Sequence, residues 1–259
     1  MQEYTVGILR TECLDNTTYL IELSCEEIAH NVKPGQFIQV KVGSGTDPFL
    51  RRTLSVCGAD PKRAVIKLLV DVVGHGTALL CEMKRGGLLN IIGILGKGFD
   101  IEAGGNGSCV LVAGGIGAAP LLFLAERFTS IGKRKVTFMI GAETSASLKV
   151  FESLITEGVT VMSATDDGSS GFYGKVSELF EKNIEIIRPK ALYTCGPHAM
   201  MKEIARVAEL WSIPCQVSLE ERMACGIGVC LGCAVRLRNG RMVRSCVEGP
   251  VFYTSEVVL

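Results

Sequence analysis

Apolar and polar residues alternate, or β-branched residues cluster, in short runs at 5–9, 19–23, 37–42, 64–70 and 88–95. A period of two puts one face of each run in a core and the other in water, the pattern of a half-buried strand. Turn-forming stretches such as Lys33-Pro34-Gly35, Gly43-Ser44-Gly45 and Asp60-Pro61 separate the runs. Short strands in succession, divided by such turns, predict a small antiparallel barrel over residues 1–100.

Beyond the glycine-rich stretch 103–108 the texture changes. Apolar runs at 109–113, 136–140, 159–164 and 191–195 read as buried strands, and helical patterns fall between them at 118–128, 147–154 and around 176–180. Strands alternating with helices predict a parallel sheet wrapped by helices over 101–214. A further helix at 199–210 sets Met200, Ile204, Val207, Ala208 and Trp211 on one face, a stripe that packing alone explains. The uncharged stretch 103–125 has the length of a membrane span. Gly104, Gly105, Gly107, Gly114, Gly115, Gly117 and Pro120 break it into strand, turn and helix, so no membrane span is expected.

At 259 residues the chain exceeds the usual single-domain size of about 150. Lys plus Arg and Asp plus Glu both total 27, so no excess of cations marks a nucleic-acid binder. No basic region followed by an apolar run opens the chain, which predicts a cytoplasmic protein whose 11 cysteines are thiols or ligands.

Seven of those cysteines are scattered. The other four form Cys225-x4-Cys230-x2-Cys233-x12-Cys246. Thiolates are soft ligands suited to zinc or iron–sulfur, and an x4 then x2 spacing is the plant-type [2Fe-2S] arrangement. A structural zinc site more often repeats a Cys-x2-Cys pair, and a zinc-stapled interaction module without enzymatic activity is the alternative reading. The segment 215–259 is too short to bury much core alone and would gain from a metal centre.

Two further patterns suggest nucleotide cofactors. Arg51-Arg52-Thr53-Leu54-Ser55 offers a guanidinium fork and hydroxyls, and Gly74-His75-Gly76-Thr77 offers a turn whose backbone a phosphate can approach. Cys109-Val110-Leu111-Val112-Ala113 runs into Gly114-Gly115-Ile116-Gly117-Ala118-Ala119-Pro120, a strand–turn–helix context for a pyrophosphate. Pro120 stands where the ordinary dinucleotide fingerprint has its last glycine. Cys195-Gly196-Pro197-His198 ends another strand of the same sheet, so both loops are expected on one rim, with Cys195 facing a cofactor ring as the candidate catalytic residue or serving only as a buried thiol.

Taken in order, Arg-x-x-Ser, Gly-x-Gly-Thr, Gly-Gly-x-Gly-x-x-Pro and Cys-Gly-Pro resemble the ferredoxin–NADP reductase superfamily. Within it, the tail Glu220-Glu221-Arg222-Met223-Ala224-Cys225 through Cys233, followed by Cys246-Val247-Glu248-Gly249-Pro250, resembles the electron-transfer subunits of NAD-linked dihydroorotate dehydrogenase B. The resemblance implies an FAD site at Arg52, Thr53, Leu54, Ser55, Leu69, Val70, Asp71, Gly76 and Thr77, and cluster ligands Cys225, Cys230, Cys233 and Cys246. NAD falls to Gly114, Gly115, Gly117, Pro120, Gly196 and Pro197. Leu54 replaces an aromatic residue common in the superfamily, and Glu143 stands where a basic residue often meets a 2'-phosphate, which favours NAD over NADP.

Nicotinamide exchanges hydride, a [2Fe-2S] cluster single electrons, and a flavin can do either, so FAD belongs between them. The resemblance implies electrons arriving from the FMN of a dihydroorotate dehydrogenase catalytic subunit, in a heterotetramer of two subunits of each kind, and leaving as hydride to NAD+ for pyrimidine biosynthesis. A subunit of another complex, such as a ferredoxin–NADP transhydrogenase or a sulfhydrogenase, would carry the same modules.

Overall fold

A computed structural model of the chain describes residues 2–43, 45–132 and 134–259. Met1, Ser44, the centre of one expected turn, and Lys133 lie outside them. The first unit is a closed antiparallel barrel of β1 (Gln2–Cys13), β2 (Thr18–Ser24), β3 (Phe37–Lys41), β4 (Arg52–Asp60), β5 (Val65–Asp71) and β6 (Leu88–Leu95), ordered β1-β2-β5-β4-β3-β6. Its interior holds the inward residues of each strand, among them Ile21, Leu23, Ile38, Val40, Val56, Ile66, Leu68 and Ile91, all fully buried. Short helices α1 (Glu26–Asn31) and α2 (His75–Glu82) join strands.

Residues from Arg52 onward form β4, and one sequence expectation needs correction here. Gly74-His75-Gly76-Thr77 is not a plain turn but the entry to α2.

The second unit runs β7 (Cys109–Gly114), α3 (Ala118–Ile131), β8 (Val136–Ala142), α4 (Ser145–Glu152), β9 (Thr160–Thr165), β10 (Phe172–Tyr173), α5 (Val176–Ile187), β11 (Ala191–Cys195), α6 (His198–Leu210) and β12 (Cys215–Ser218). The strands pair in parallel in the order β10-β9-β8-β7-β11-β12. Sequence order reverses between β7 and β11, so the crevice at their carboxyl ends is the topological switch point where open α/β sheets take ligands. In α6 the buried side chains are Met201, Ile204, Ala205, Val207 and Ala208. Trp211 falls just past the helix end and is 43% exposed, against the expectation that it joins the core. No helix among the described residues is long and apolar enough to cross a membrane.

After β12 the chain forms a small hairpin of β13 (Ala234–Arg236) and β14 (Met242–Arg244), then returns as β15 (Val251–Tyr253), antiparallel to β12 at the edge of the large sheet. The tail is thereby fastened to the α/β unit at both ends.

α3 wedges between barrel and sheet. Its Phe123 enters the barrel core, while Leu121, Leu124 and Phe128 pack with β7 and with Leu20, Cys57 and Leu69 of the barrel. Apolar burial across this seam, at about 25 cal/mol per Å², makes the two units one body. The connecting segment is pinned as well. Asp100 accepts from Tyr193 through its carbonyl at 3.0 Å and from Tyr253 through its carboxylate at 2.7 Å, and Gln216 both donates to it (2.9 Å) and accepts from its N–H (2.8 Å).

Candidate functional site

Three sites follow from this frame. The first lies where β4 and β5 part. They pair from Val56↔Leu68 to Asp60↔Val65, whereas β4 pairs with β3 from Phe37↔Ser55 to Val40↔Arg52. The edge of Thr53, Leu54 and Ser55 and the edge of Leu69, Val70 and Asp71 therefore face each other without a ladder. Backbone groups left unpaired in this way need partners, and a bound group can provide them. The side chains of Leu69 and Val70 are sunk in the cores, so these residues offer main-chain atoms alone.

At the mouth of that groove Arg52 lies against the start of α2, and a Cβ on Gly76 would sit 2.6 Å from its Nη1. A side chain there would push the guanidinium away; glycine leaves it beside the free N–H groups of a helix entry, an anion site in chemistry. Arg52 bonds the carbonyl of Leu50, while its Nε and the Oδ1 of Asp71 are buried without partners. Buried polar atoms without partners are costly, and a ligand supplies the missing partners. The Thr77 hydroxyl is already engaged: it accepts from the N–H groups of Val73 (3.0 Å) and Gly74 (3.2 Å) and donates to the Gly74 carbonyl. His75 is exposed at the same helix entry.

The second site is a cavity of about 910 Å³ at the switch point, lined by Gly114, Gly115, Gly117, Gly196 and Pro197, so the two loops do share one rim. They meet backbone to backbone: a Cβ on Gly117 would lie 2.4 Å from the Cys195 carbonyl oxygen and 2.6 Å from the Cα of Gly196. Pro120 is buried within the first turn of α3, where its missing N–H costs no bond, and does not line the cavity. Cys195 does not line it either. Burial pushes its thiol up to about 12, with Glu220 adding to the rise, so it stays protonated and un-nucleophilic.

The cations on this cavity are largely matched. Lys175 pairs with Asp166 at 2.5 Å, and Arg206 with Glu203 at 2.8 Å and Glu181 at 2.9 Å. Glu143, Glu178, Glu220 and Glu221 add carboxylates to the lining. Such a surface disfavours an additional phosphate dianion.

The third site is the cysteine loop. The four thiols interact with one another, Cys225 with Cys230, and Cys246 with Cys233 and, less strongly, with Cys225. Among the described residues no three metal-ligating side chains gather around a single point. Four thiols in one short segment could serve a two-iron cluster or a tetrahedral zinc, and the x4 then x2 spacing favours the former. Burial alone would push the Cys225 thiol up, but the N–H groups of Cys230, Ile227 and Val229 aim at the sulfur and bring it down to about 6. Burial and the adjoining Cys233 thiol push Cys246 up to about 12. The Cys230 N–H lies 3.4 Å from the Cys225 sulfur and the Gly232 N–H 3.5 Å from that of Cys230, the donor arrangement that tunes iron–sulfur centres.

Sequence reasoning missed Arg244. Its Nη1 donates to the Gly228 carbonyl at 3.2 Å and its Nε to Glu248 at 3.2 Å, strapping the loop from outside. An Arg four residues before a Glu was the available signal. It also missed Gln39, a polar residue between Ile38 and Val40, which touches both the groove strand and the cysteine loop.

A barrel with an open groove, a parallel sheet with a cavity at its switch point and a cysteine loop against the barrel define an electron-transfer oxidoreductase of the ferredoxin-reductase type. The solved NADH-dependent reduced ferredoxin–NADP oxidoreductase is similar over 98% of this chain and 89% of its own, with a TM-score of 0.85 and 27% identity. Residues 220–258 match the iron-sulfur cluster binding domain of dihydroorotate dehydrogenase B. Dihydroorotate dehydrogenase B (NAD(+)), electron transfer subunit, of Desulforamulus reducens is 42% identical over 98% of both chains, and that of Bacillus caldolyticus is 39% identical over 93% of both. The chain belongs to the family of dihydroorotate dehydrogenase B (NAD(+)) electron transfer subunits.

Proposed function

We propose that this chain carries electrons between the FMN of a dihydroorotate dehydrogenase catalytic subunit and NAD+, in the cytoplasm, as part of a two-plus-two heterotetramer. FAD, a [2Fe-2S] cluster and NAD are its cofactors, FAD supplying the exchange between hydride and single-electron chemistry. Domain limits of 1–100, 101–214 and 215–259 go with these three cofactors in turn.

Arg52, Thr53, Leu54, Ser55, Leu69, Val70, Asp71, Gly76 and Thr77 hold FAD. Arg52 and the N–H groups at the start of α2 take its pyrophosphate, and the unpaired strand edges take the ring. Gly114, Gly115, Gly117, Gly196 and Pro197 form the dinucleotide rim, with Pro120 setting the pitch of the first turn of α3. Cys195 shapes this end of the sheet without exchanging a proton, since its thiol is held neutral. Cys225, Cys230, Cys233 and Cys246 bind the cluster.

The observation that carries this reading is the contact of the cysteine loop with the strand pair bordering the groove, through Gln39 to Thr53 and Ala224, which supports a single-electron centre next to a flavin. Reconstitution with an FMN-containing catalytic subunit tests it. Dihydroorotate-dependent NAD+ reduction is the expected result, and copurification with a larger iron–sulfur partner in place of that subunit overturns it.

A further inference from the structure

Gln39 on β3 is fully buried between Ile38 and Val40, both likewise buried. Its Nε2 donates to the Thr53 hydroxyl at 3.3 Å on one side and, at a long 3.5 Å, to the Ala224 carbonyl on the other. Ala224 immediately precedes Cys225. Gly226, just after it, presses on the same amide: a Cβ there would stand 2.5 Å from the Cδ and Nε2 of Gln39, and its φ of +66° is one that side chains resist.

The Ala224 carbonyl can only accept, so the amide nitrogen must face it and the oxygen must face elsewhere. That oxygen, Oε1, is buried with no partner. The strand neighbours Phe37, Ile38 and Val40 are all buried apolar residues, and a Leu or Met in place of Gln39 would bring no orphaned atom into that setting. Packing alone therefore gives no reason for an amide at this position.

We infer that Gln39 is a positioning residue that locks the cysteine loop to the flavin-holding strand and so sets how readily electrons pass between FAD and the cluster. The inference rests on the proposed placement of FAD at Thr53 and of the cluster at Cys225. Oxidation of one dihydroorotate to orotate releases two electrons, and reduction of one NAD+ to NADH consumes them as a hydride. The cluster passes them singly, so this junction is crossed twice per turnover. Gln39 contributes by holding the two sides in register, since small displacements of groups next to a metal centre have large effects on its function.

The test uses the complex with its catalytic subunit. Gln39→Met keeps the volume and removes the donor, and Gln39→Glu keeps the length but turns an oxygen toward the Ala224 carbonyl. Stopped-flow mixing with NADH is expected to show FAD reduction at the wild-type rate in both, while cluster reduction slows on the order of tenfold and the electron paramagnetic resonance signal of the reduced cluster shifts. Wild-type cluster reduction and an unshifted signal in Gln39→Met overturn the inference, because a space-filling role would be met by Met. If the single variants fail to load cofactors, a cycle decides: iron loss from Gly226→Ala should be faster than wild type, and adding Gln39→Ala should slow it again. Strictly additive effects overturn the contact. Wild-type complex lacking iron or FAD defeats the cofactor placement instead, which separates the two failures.

Discussion

The sheet interior and the cysteine loop treat the same side chain in opposite ways. In the barrel wall and the sheet, burial pushes the thiols of Cys57 and Cys215 up to about 12. In the loop, main-chain N–H groups overcome burial and draw Cys225 down to about 6. Amides curled around the Cys225 sulfur favour its thiolate, the form that binds metal, whereas apolar surroundings hold Cys57 and Cys215 neutral and inert.

The sharpest way to break that contrast is to remove one sulfur from each region. Cys230→Ser should lose iron and acid-labile sulfide and bring dihydroorotate-dependent NAD+ reduction to background, while NADH still reduces FAD. Cys57→Ser should keep its full iron content and lose about 1–3 kcal/mol of stability for burying a hydroxyl, measured by urea denaturation. Equal iron loss in both would erase the distinction.

Sites built from main chain should also fail when a side chain is added. Gly117→Val pushes into the Cys195 carbonyl and should cost about 1–3 kcal/mol and raise the KM for NADH more than it lowers FAD content. Arg52→Ala removes a charged donor from the other nucleotide site. Its expected loss of about 1.5–3 kcal/mol, or roughly 10- to 100-fold in FAD affinity, is read by flavin released on gel filtration.

The smallest effect lies in pH. The thiols of Cys57 and Cys215 ionise near 9 when unfolded and near 12 when folded, so deprotonation favours the unfolded chain. Stability is nearly unaffected well below pH 9 and falls as pH rises through 9 toward 12, by about 1.4 kcal/mol per thiol at pH 10. Denaturation midpoints at pH 8 and pH 10, compared between wild type and Cys57→Ala, isolate the share of one thiol.

Much of this was legible from residues alone. Strand period exposed β2, β3, β5 and β6, and the alternation of strand and helix exposed the parallel sheet, because their apolar faces are long and regular. The start of β4 was hidden since Arg52, Thr53 and Ser55, which edge a groove, are polar and blur the strand period around Leu54. Helix α2 was hidden because Gly74 and Gly76 at its opening read as a turn, although Gly76 serves the approach of Arg52. The cysteine spacing announced its chemistry, but no pattern in the sequence says that residues 39 and 224 meet across 185 positions.

The register of the last strand has a consequence of its own. Ser218 and Val251 are direct partners across β12 and β15, so everything from Leu219 to Pro250 leaves the sheet and rejoins it at one spot. Topologically this is a cassette plugged into a socket, further latched where the Lys97 amide bonds the Gly249 carbonyl. Excising residues 222–249 and closing the gap with a short linker would keep Leu219, Glu220 and Glu221 on the lining of the switch-point cavity, and a flavoprotein reducible by NADH but electrically cut off from its partner should result.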